Sequence, residues 1–232
     1  MRDSPIKSNE FRLKVWGRNA CFTRPEMKVE RVSYDVMTPS AARGILEAIL
    51  WKPAIRWKVT QIDVLKPVKW ESVRRNEVGA VMSPDSKGFY IDELKSDGRP
   101  KYRQQKAGLF LRDVAYTIHA FFELTNKAEA ADTIVKFQEM FLRRAEKGQC
   151  FHRPYLGCRE FAADFEVFTN GRPVPEPISE TRDLGWMLYD IYHENSADEK
   201  NQHFCTEKCM SSFFRASLDN GRMKIDEKEV RA

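Results

Sequence analysis

One order of patterns occurs twice in this chain, and it constrains the fold more than any other feature: an alternating segment, an amphipathic helix, then another alternating segment. Phe11-Arg12-Leu13-Lys14-Val15-Trp16 alternates apolar and polar residues, which predicts a half-buried strand with Phe11, Leu13 and Val15 inward. Thr38-Pro39 opens a helix with Thr at the N-cap and Pro at the first helical position. Ala42, Ile45, Leu46, Ile49 and Leu50 form its apolar stripe, and Pro53 marks its end. Ile55-Arg56-Trp57-Lys58-Val59 alternates again, then shifts phase after Gln61 with Ile62 and Val64 apolar, which predicts a bulge or a strand end. A strand over 68–78 and a polar, irregular insertion over 82–108 follow. The second unit starts with an apolar strand over 114–122. Next comes a helix over 128–147 with the stripe Ala130, Ile134, Phe137, Phe141 and Ala145 and Gly148 as its stop. It ends with a turn at Tyr155-Leu156-Gly157-Cys158-Arg159-Glu160 into a strand carrying Phe161, Ala163, Phe165 and Val167 inward. Strand–helix–strand taken twice predicts a split βαβ, ferredoxin-like α+β domain over 1–168. The rest, 169–232, predicts a β-rich C-terminal extension: a tight turn at Asn170-Gly171, strands over 184–192 and 210–218, and a hairpin through Asp219-Asn220-Gly221 into 223–225.

Charge narrows the partner. Residues 1–76 carry 16 Lys and Arg against 8 Asp and Glu, while the whole chain carries 39 against 34. Positive charge gathered in the first third suits a polyanion, although a solvated basic face has the same composition. No apolar run is long enough to span a membrane, and Met1-Arg2-Asp3-Ser4-Pro5 has no apolar core of a signal peptide. Five cysteines, an odd number, argue against a disulfide framework and for a reducing cytoplasm. Walker, dinucleotide-binding and HExxH patterns are absent. His203, Cys205 and Cys209, with His193, include metal-ligand types but lack paired C-x2-C spacing, so no metal and no cofactor is expected.

Four groups of residues fit nucleic acid. Arg24, Lys28, Arg31 and Arg43 are interleaved with Phe22 and Tyr34: guanidinium forks suit phosphate oxygens, and aromatic faces suit unstacked bases. The competing arrangement is an Arg–Glu lattice, since Glu26 and Glu30 sit among these cations. Arg74-Arg75-Asn76 pairs two phosphate grips with a group able to read a base edge. Lys136, Arg143, Arg144 and Lys147 place positive charge along the second helix. Gly157 removes a Cβ from a loop that an RNA backbone could approach, with Arg159 beside it; a plain turn into the next strand reads the same way. His119, in an apolar strand, reads as a satisfied internal residue.

Long runs then carry a resemblance. Phe22-Thr23-Arg24-Pro25-Glu26-Met27-Lys28-Val29-Glu30-Arg31, Thr38-Pro39-Ser40-Ala41-Ala42-Arg43-Gly44-Ile45, Trp51-Lys52-Pro53, Arg74-Arg75-Asn76-Glu77-Val78 and Pro154-Tyr155-Leu156-Gly157-Cys158-Arg159-Glu160-Phe161 are similar to the type I-C CRISPR-associated pre-crRNA endoribonucleases, the subtype d (or c) of the fifth Cas family within the RAMP superfamily. The likeness spares only the insertion and the tail near 193–208. It implies a RAMP-type, RRM-like fold that binds the repeat hairpin of precursor crRNA. It implies a metal-independent cut by 2′-OH attack that leaves a 2′,3′-cyclic phosphate. The protein would then stay on the crRNA 5′ handle as a subunit of the interference complex, with the other subunits as partners and target DNA as a further one. Relatives carry a Tyr-Lys-His set. Aligned by hand, Lys136 keeps its place as the catalytic cation, while Leu50-Trp51-Lys52 and Phe137 stand where the tyrosine and histidine belong. His152, Tyr155 and His119 are the substitutes within reach of the same chemistry. Otherwise the chain is a handle-binding subunit without cleavage. A generic RRM-type module fits less well, because no RNP aromatic motif is present.

Overall fold

The computed structural model describes residues 6–27, 29–85, 87–88, 90–169, 173–192 and 210–231. The elements, in order, are β1 (Phe11–Ala20), β2 (Arg31–Val32), α1 (Pro39–Ile49), β3 (Ile55–Val64), β4 (Trp70–Val78), β5 (Arg103–Leu124), α2 (Ile134–Glu146), β6 (Asp164–Phe168), β7 (Arg182–Tyr192), β8 (Met210–Leu218) and β9 (Arg222–Lys224). The main sheet runs β6-β1-β5-β3-β9, and each of these neighbours is antiparallel. Its first four strands, with α1 after β1 and α2 after β5, make the predicted ferredoxin-like unit. Both helices cover one face. That face carries Leu13, Val15, Ile62, Val64, Ile118 and Ala120, all buried. An aromatic nest fills the space beneath α2: Phe141 stands 4.9 Å from Phe11 and 4.8 Å from Trp57, ring centre to ring centre.

Thr38 caps α1 as expected, its hydroxyl accepting from the Ala41 amide, but the helix stops at Ile49, before Pro53. A corresponding correction applies to α2. It starts at Ile134 and not at 128, because the Thr133 hydroxyl accepts from the Lys136 amide and fixes the first turn there. Ala130, assigned to the apolar stripe, lies outside the helix and is exposed. In β3 the register slips between Val59 and Gln61, one residue earlier than the sequence pattern placed it; the extra residue returns Ile62 and Val64 to the interior.

The insertion ends sooner than predicted. Residues 103–108 belong to β5, whose 22 residues form two regions. The first part pairs with β4 as a ribbon, with β2 alongside, and the second part is the centre of the main sheet. Asp113 marks the change of direction, with φ 54, a conformation that short polar side chains tolerate; Lys66 donates to its carboxylate at 2.5 Å. The C-terminal hairpin also needs correcting. The turn at Asp219–Arg222 forms, with positive φ at Asn220 and Gly221, but β9 then leaves β8 and pairs with β3, where Met223 is buried opposite Ile62. β8 pairs with β7 instead. That hairpin packs beside α1, and its Met187, Leu188, Phe214 and Leu218 join the same core as β1 and β3. The Asn170-Gly171 turn and the His193, His203, Cys205 and Cys209 set lie outside the described residues. No described helix is long and apolar enough to cross a membrane.

Candidate nucleic-acid interface

The last carbonyls of α1 have no partners within the helix, and other elements supply them. Ala48 O accepts from the Phe151 amide at 2.8 Å, Ile49 O from the Arg144 guanidinium at 2.9 Å, and Leu50 O from the Trp57 indole at 2.9 Å. These bonds fasten the loop after α2 to the end of α1. They also bring two aromatic rings to the surface there: Trp51 is 61% exposed and Phe151 is 87% exposed. Lys136 stands close by, donating to Asp132 at 2.9 Å. That hydrogen bond, with the charge of Lys52 helping, holds the Asp132 carboxyl below its usual range. Exposed aromatic faces beside lysines are a platform for unstacked bases and their phosphates. Sequence reasoning missed Trp51 and Phe151.

From this platform the loop runs onward. The His152 ring lies 6.0 Å from Phe151 and 6.5 Å from Tyr155. Tyr155 lines a cleft of about 270 Å³ with Thr23, Thr38, Ser40 and Gly157. Beyond it stands a lattice of charge. Glu160 accepts from Arg75 at 2.7 Å and from Arg31 at 3.5 Å, while Glu77 pairs with Arg75 at 3.2 Å, Arg31 at 3.6 Å and Lys106 at 3.8 Å. Arg75 also lies over the Phe110 ring. The Arg–Glu lattice is therefore real, but Glu77 and Glu160 build it, while Glu26 pairs with Arg24.

Several candidate residues have internal roles. Tyr34 is buried, and its hydroxyl accepts from the Leu188 amide at 3.2 Å, so its ring cannot receive a base. Arg24 lies 4.4 Å over that ring and bonds Ser33 O and Asp35. Arg43 ties α1 to β7 through Glu47 and Asp190, each at 2.8 Å. Gly157, at φ +84, is required by the chain itself: a Cβ there would come 2.0 Å from the Cys21 carbonyl oxygen. Arg144 serves α1, as described. Arg74 and Asn76 are exposed on the ribbon face away from the lattice, and Arg143, Lys147 and Arg159 are exposed as well. Lys52 is half-buried at the aromatic platform, and Lys28 lies outside the described residues.

His119 occupies the sheet face that the helices leave open. Its Nε2 meets Asp63 at 2.9 Å and its Nδ1 meets Glu10 at 3.4 Å, with Arg12 opposite on β1 and Lys224 in the same cleft. Burial disfavours the imidazolium, but the two carboxylates outweigh it and raise the pKa. A raised folded-state pKa gives stability that is complete below the ordinary histidine value of about 6.5 and is lost as pH rises through the folded value. Urea unfolding of the wild type is therefore expected to weaken from pH 6 to pH 9 more than that of His119→Gln. Parallel profiles would remove His119 as the cause.

Three comparisons with known proteins agree. The family model described as CRISPR-associated protein (Cas_Cas5), designated Cas_Cas5d, matches residues 11–226. The CRISPR pre-crRNA endoribonuclease Cas5d of Mannheimia succiniciproducens is 51% identical over 94% of this chain and 95% of its own. The protein of the same name from Thermus thermophilus is 47% identical over 78% of this chain and 72% of its own. A solved structure, "Crystal Structure of CRISPR-associated Protein", superposes with a TM-score of 0.69 at 20% identity, covering 99% of this chain and 100% of that one, a likeness of fold.

Proposed function

Because the chain belongs to the Cas5d family of CRISPR-associated proteins, we propose that it is a pre-crRNA endoribonuclease whose aromatic platform and following loop grip repeat-derived RNA. The observation that carries this reading is the 51% identity to a pre-crRNA endoribonuclease over nearly all of both chains. The geometry supports a division of labour. Trp51 and Phe151 stack bases, while Lys52, Arg74, Asn76, Arg143, Lys147 and Arg159 hold phosphates and base edges. Cleavage by ribose 2′-OH attack on the adjacent phosphate needs a proton acceptor, a proton donor for the leaving oxygen and a cation for the phosphorane charge. Lys136 supplies the cation, and His152, exposed between Phe151 and Tyr155, takes the 2′-hydroxyl proton and returns it to the departing 5′ oxygen. The cut needs no metal. The processed guide stays bound, and the partners are the crRNA, the other subunits of the interference complex and, through them, target DNA. A second reading, a binding subunit that does not cut, draws on Leu50 and Phe137: both are buried, so neither position presents a proton-transfer group to RNA.

The test is purified protein with its cognate repeat RNA in EDTA, read on a gel that resolves 2′,3′-cyclic ends. Site-specific cutting is expected. Lys136→Ala is expected to slow it by about 100-fold, the scale of one lost charge-stabilising donor, with RNA affinity changed far less. Tight binding with no cut would leave the binding-subunit reading; full-rate cutting by Lys136→Ala would take the cation role from that residue.

A further inference from the structure

Two thiols meet where the Gly157 loop joins the end of β1. The Cys21 amide donates to Leu156 O at 3.0 Å, and the Leu156 amide donates to Phe161 O at 2.8 Å, so backbone bonds hold both segments in place. Thr23 Oγ1 touches both sulfurs, 3.6 Å from Cys21 Sγ and 3.9 Å from Cys158 Sγ. When protonated, Cys158 donates to the Cys21 carbonyl oxygen at 3.6 Å. Their surroundings differ. Cys21 is buried, whereas Cys158 is half-buried beside the Arg31 end of the charge lattice. We propose that Cys158 and Cys21 form a peroxide-reactive pair in which Cys158 is oxidised first and Cys21 resolves it to a disulfide. The reading does not depend on RNA cleavage.

The pair has the asymmetry that such chemistry requires: an accessible nucleophile and a protected partner within reach. The neighbouring Cys21 thiol, with Thr23 and the Arg31 charge, brings the Cys158 pKa down to about 6. The same contact, together with burial, pushes Cys21 up, so the shared proton rests on Cys21. In the first step the Cys158 thiolate attacks one peroxide oxygen. An S–O bond forms, the O–O bond breaks, and the departing hydroxide takes up the proton that Cys158 had released, giving water and a sulfenic acid. In the second step Cys21 gives up its proton and attacks that sulfur. The S–S bond forms, the S–O bond breaks, and the hydroxide leaves with that proton as a second water. Sulfur has then lost two electrons and the peroxide has gained them.

The experiment treats the full chain with one equivalent of hydrogen peroxide, blocks remaining thiols with N-ethylmaleimide and maps unreduced peptides. The expected product joins Cys21 to Cys158. Cys21→Ser is expected to stop at a Cys158 sulfenic acid that dimedone captures, and Cys158→Ser to leave Cys21 reduced. Iodoacetamide reports on the reduced wild type independently. Between pH 6 and pH 8 its rate at Cys158 should rise only about twofold, against about 75-fold for an unperturbed thiol of pKa about 8.5. Oxidation confined to Cys150, Cys205 or Cys209, or a Cys158 rate that climbs like an ordinary thiol's, would overturn the assignment.

Discussion

Gly157→Ala is expected to lower the unfolding free energy by about 3–5 kcal/mol, combining the cost of a left-handed backbone with a steric conflict that the site cannot relieve. The φ of +84 alone disfavours an L side chain. The larger part comes from where the new methyl would lie, 2.0 Å from the Cys21 carbonyl oxygen and 2.6 Å from its carbon. Both atoms are backbone, and the Cys21 amide next to them is bonded to Leu156 O, so relief would require prising the loop from the end of β1. Gly148 is the control. It has φ +64 but nothing within 4 Å of its added Cβ. Gly148→Ala should therefore cost only the conformational part, about 1 kcal/mol. Urea titration of both variants measures the difference. Equal losses would show that Gly157 matters for its backbone angle alone.

Phe137→His, the change that would supply the histidine that the family resemblance implies at this position, is expected to destabilise the protein by about 3–5 kcal/mol and to leave cutting no faster. Phe137 is 2% exposed, and its ring faces Phe122 at 6.4 Å within the nest beneath α2. An imidazole there has lost the packing and found no partner for its ring nitrogens. Burial would hold its pKa below the unfolded value, so the unfolded chain would bind the extra proton and the destabilisation would grow as pH falls below about 6.5. Urea unfolding at pH 5 and pH 8, alongside the cyclic-phosphate assay, checks both parts. A stable variant that cuts faster would place position 137 at the reaction site.

Periodicity predicted what it physically reports, namely burial. The stripe of α1, the inward residues of β1 and the bulge of β3 were all legible because each apolar side chain faces one core. The length of β5 was not legible, since Arg112-Asp113 interrupts the apolar run and the ribbon beyond it has no core to signal. Asp219-Asn220-Gly221 encodes a turn but not the partner of the strand that follows, and burial of Met223 decided for β3. For the interface, residue type was informative only where packing had no competing use for it. Arg74, Arg143 and Arg159 remained outside; Tyr34, Arg43 and Gly157 were recruited to hold the fold. Trp51 and Phe151 read as ordinary apolar residues until the structure showed how exposed they are.

The central position of β5 has a consequence for biosynthesis. β1 and β3 are its two flanks in the sheet and do not touch as neighbours, so a lane between them stays vacant until residue 124 has been made. At about 5–20 residues per second, translation takes roughly 3–12 s from the end of β3 to the end of β5. Throughout that interval the nascent chain carries two unzipped strand edges and the apolar side of α1. A chaperone or a pause-free message at codons 65–124 would shorten or shield the one period in which this polypeptide is most open to pairing with a neighbour on the same polysome.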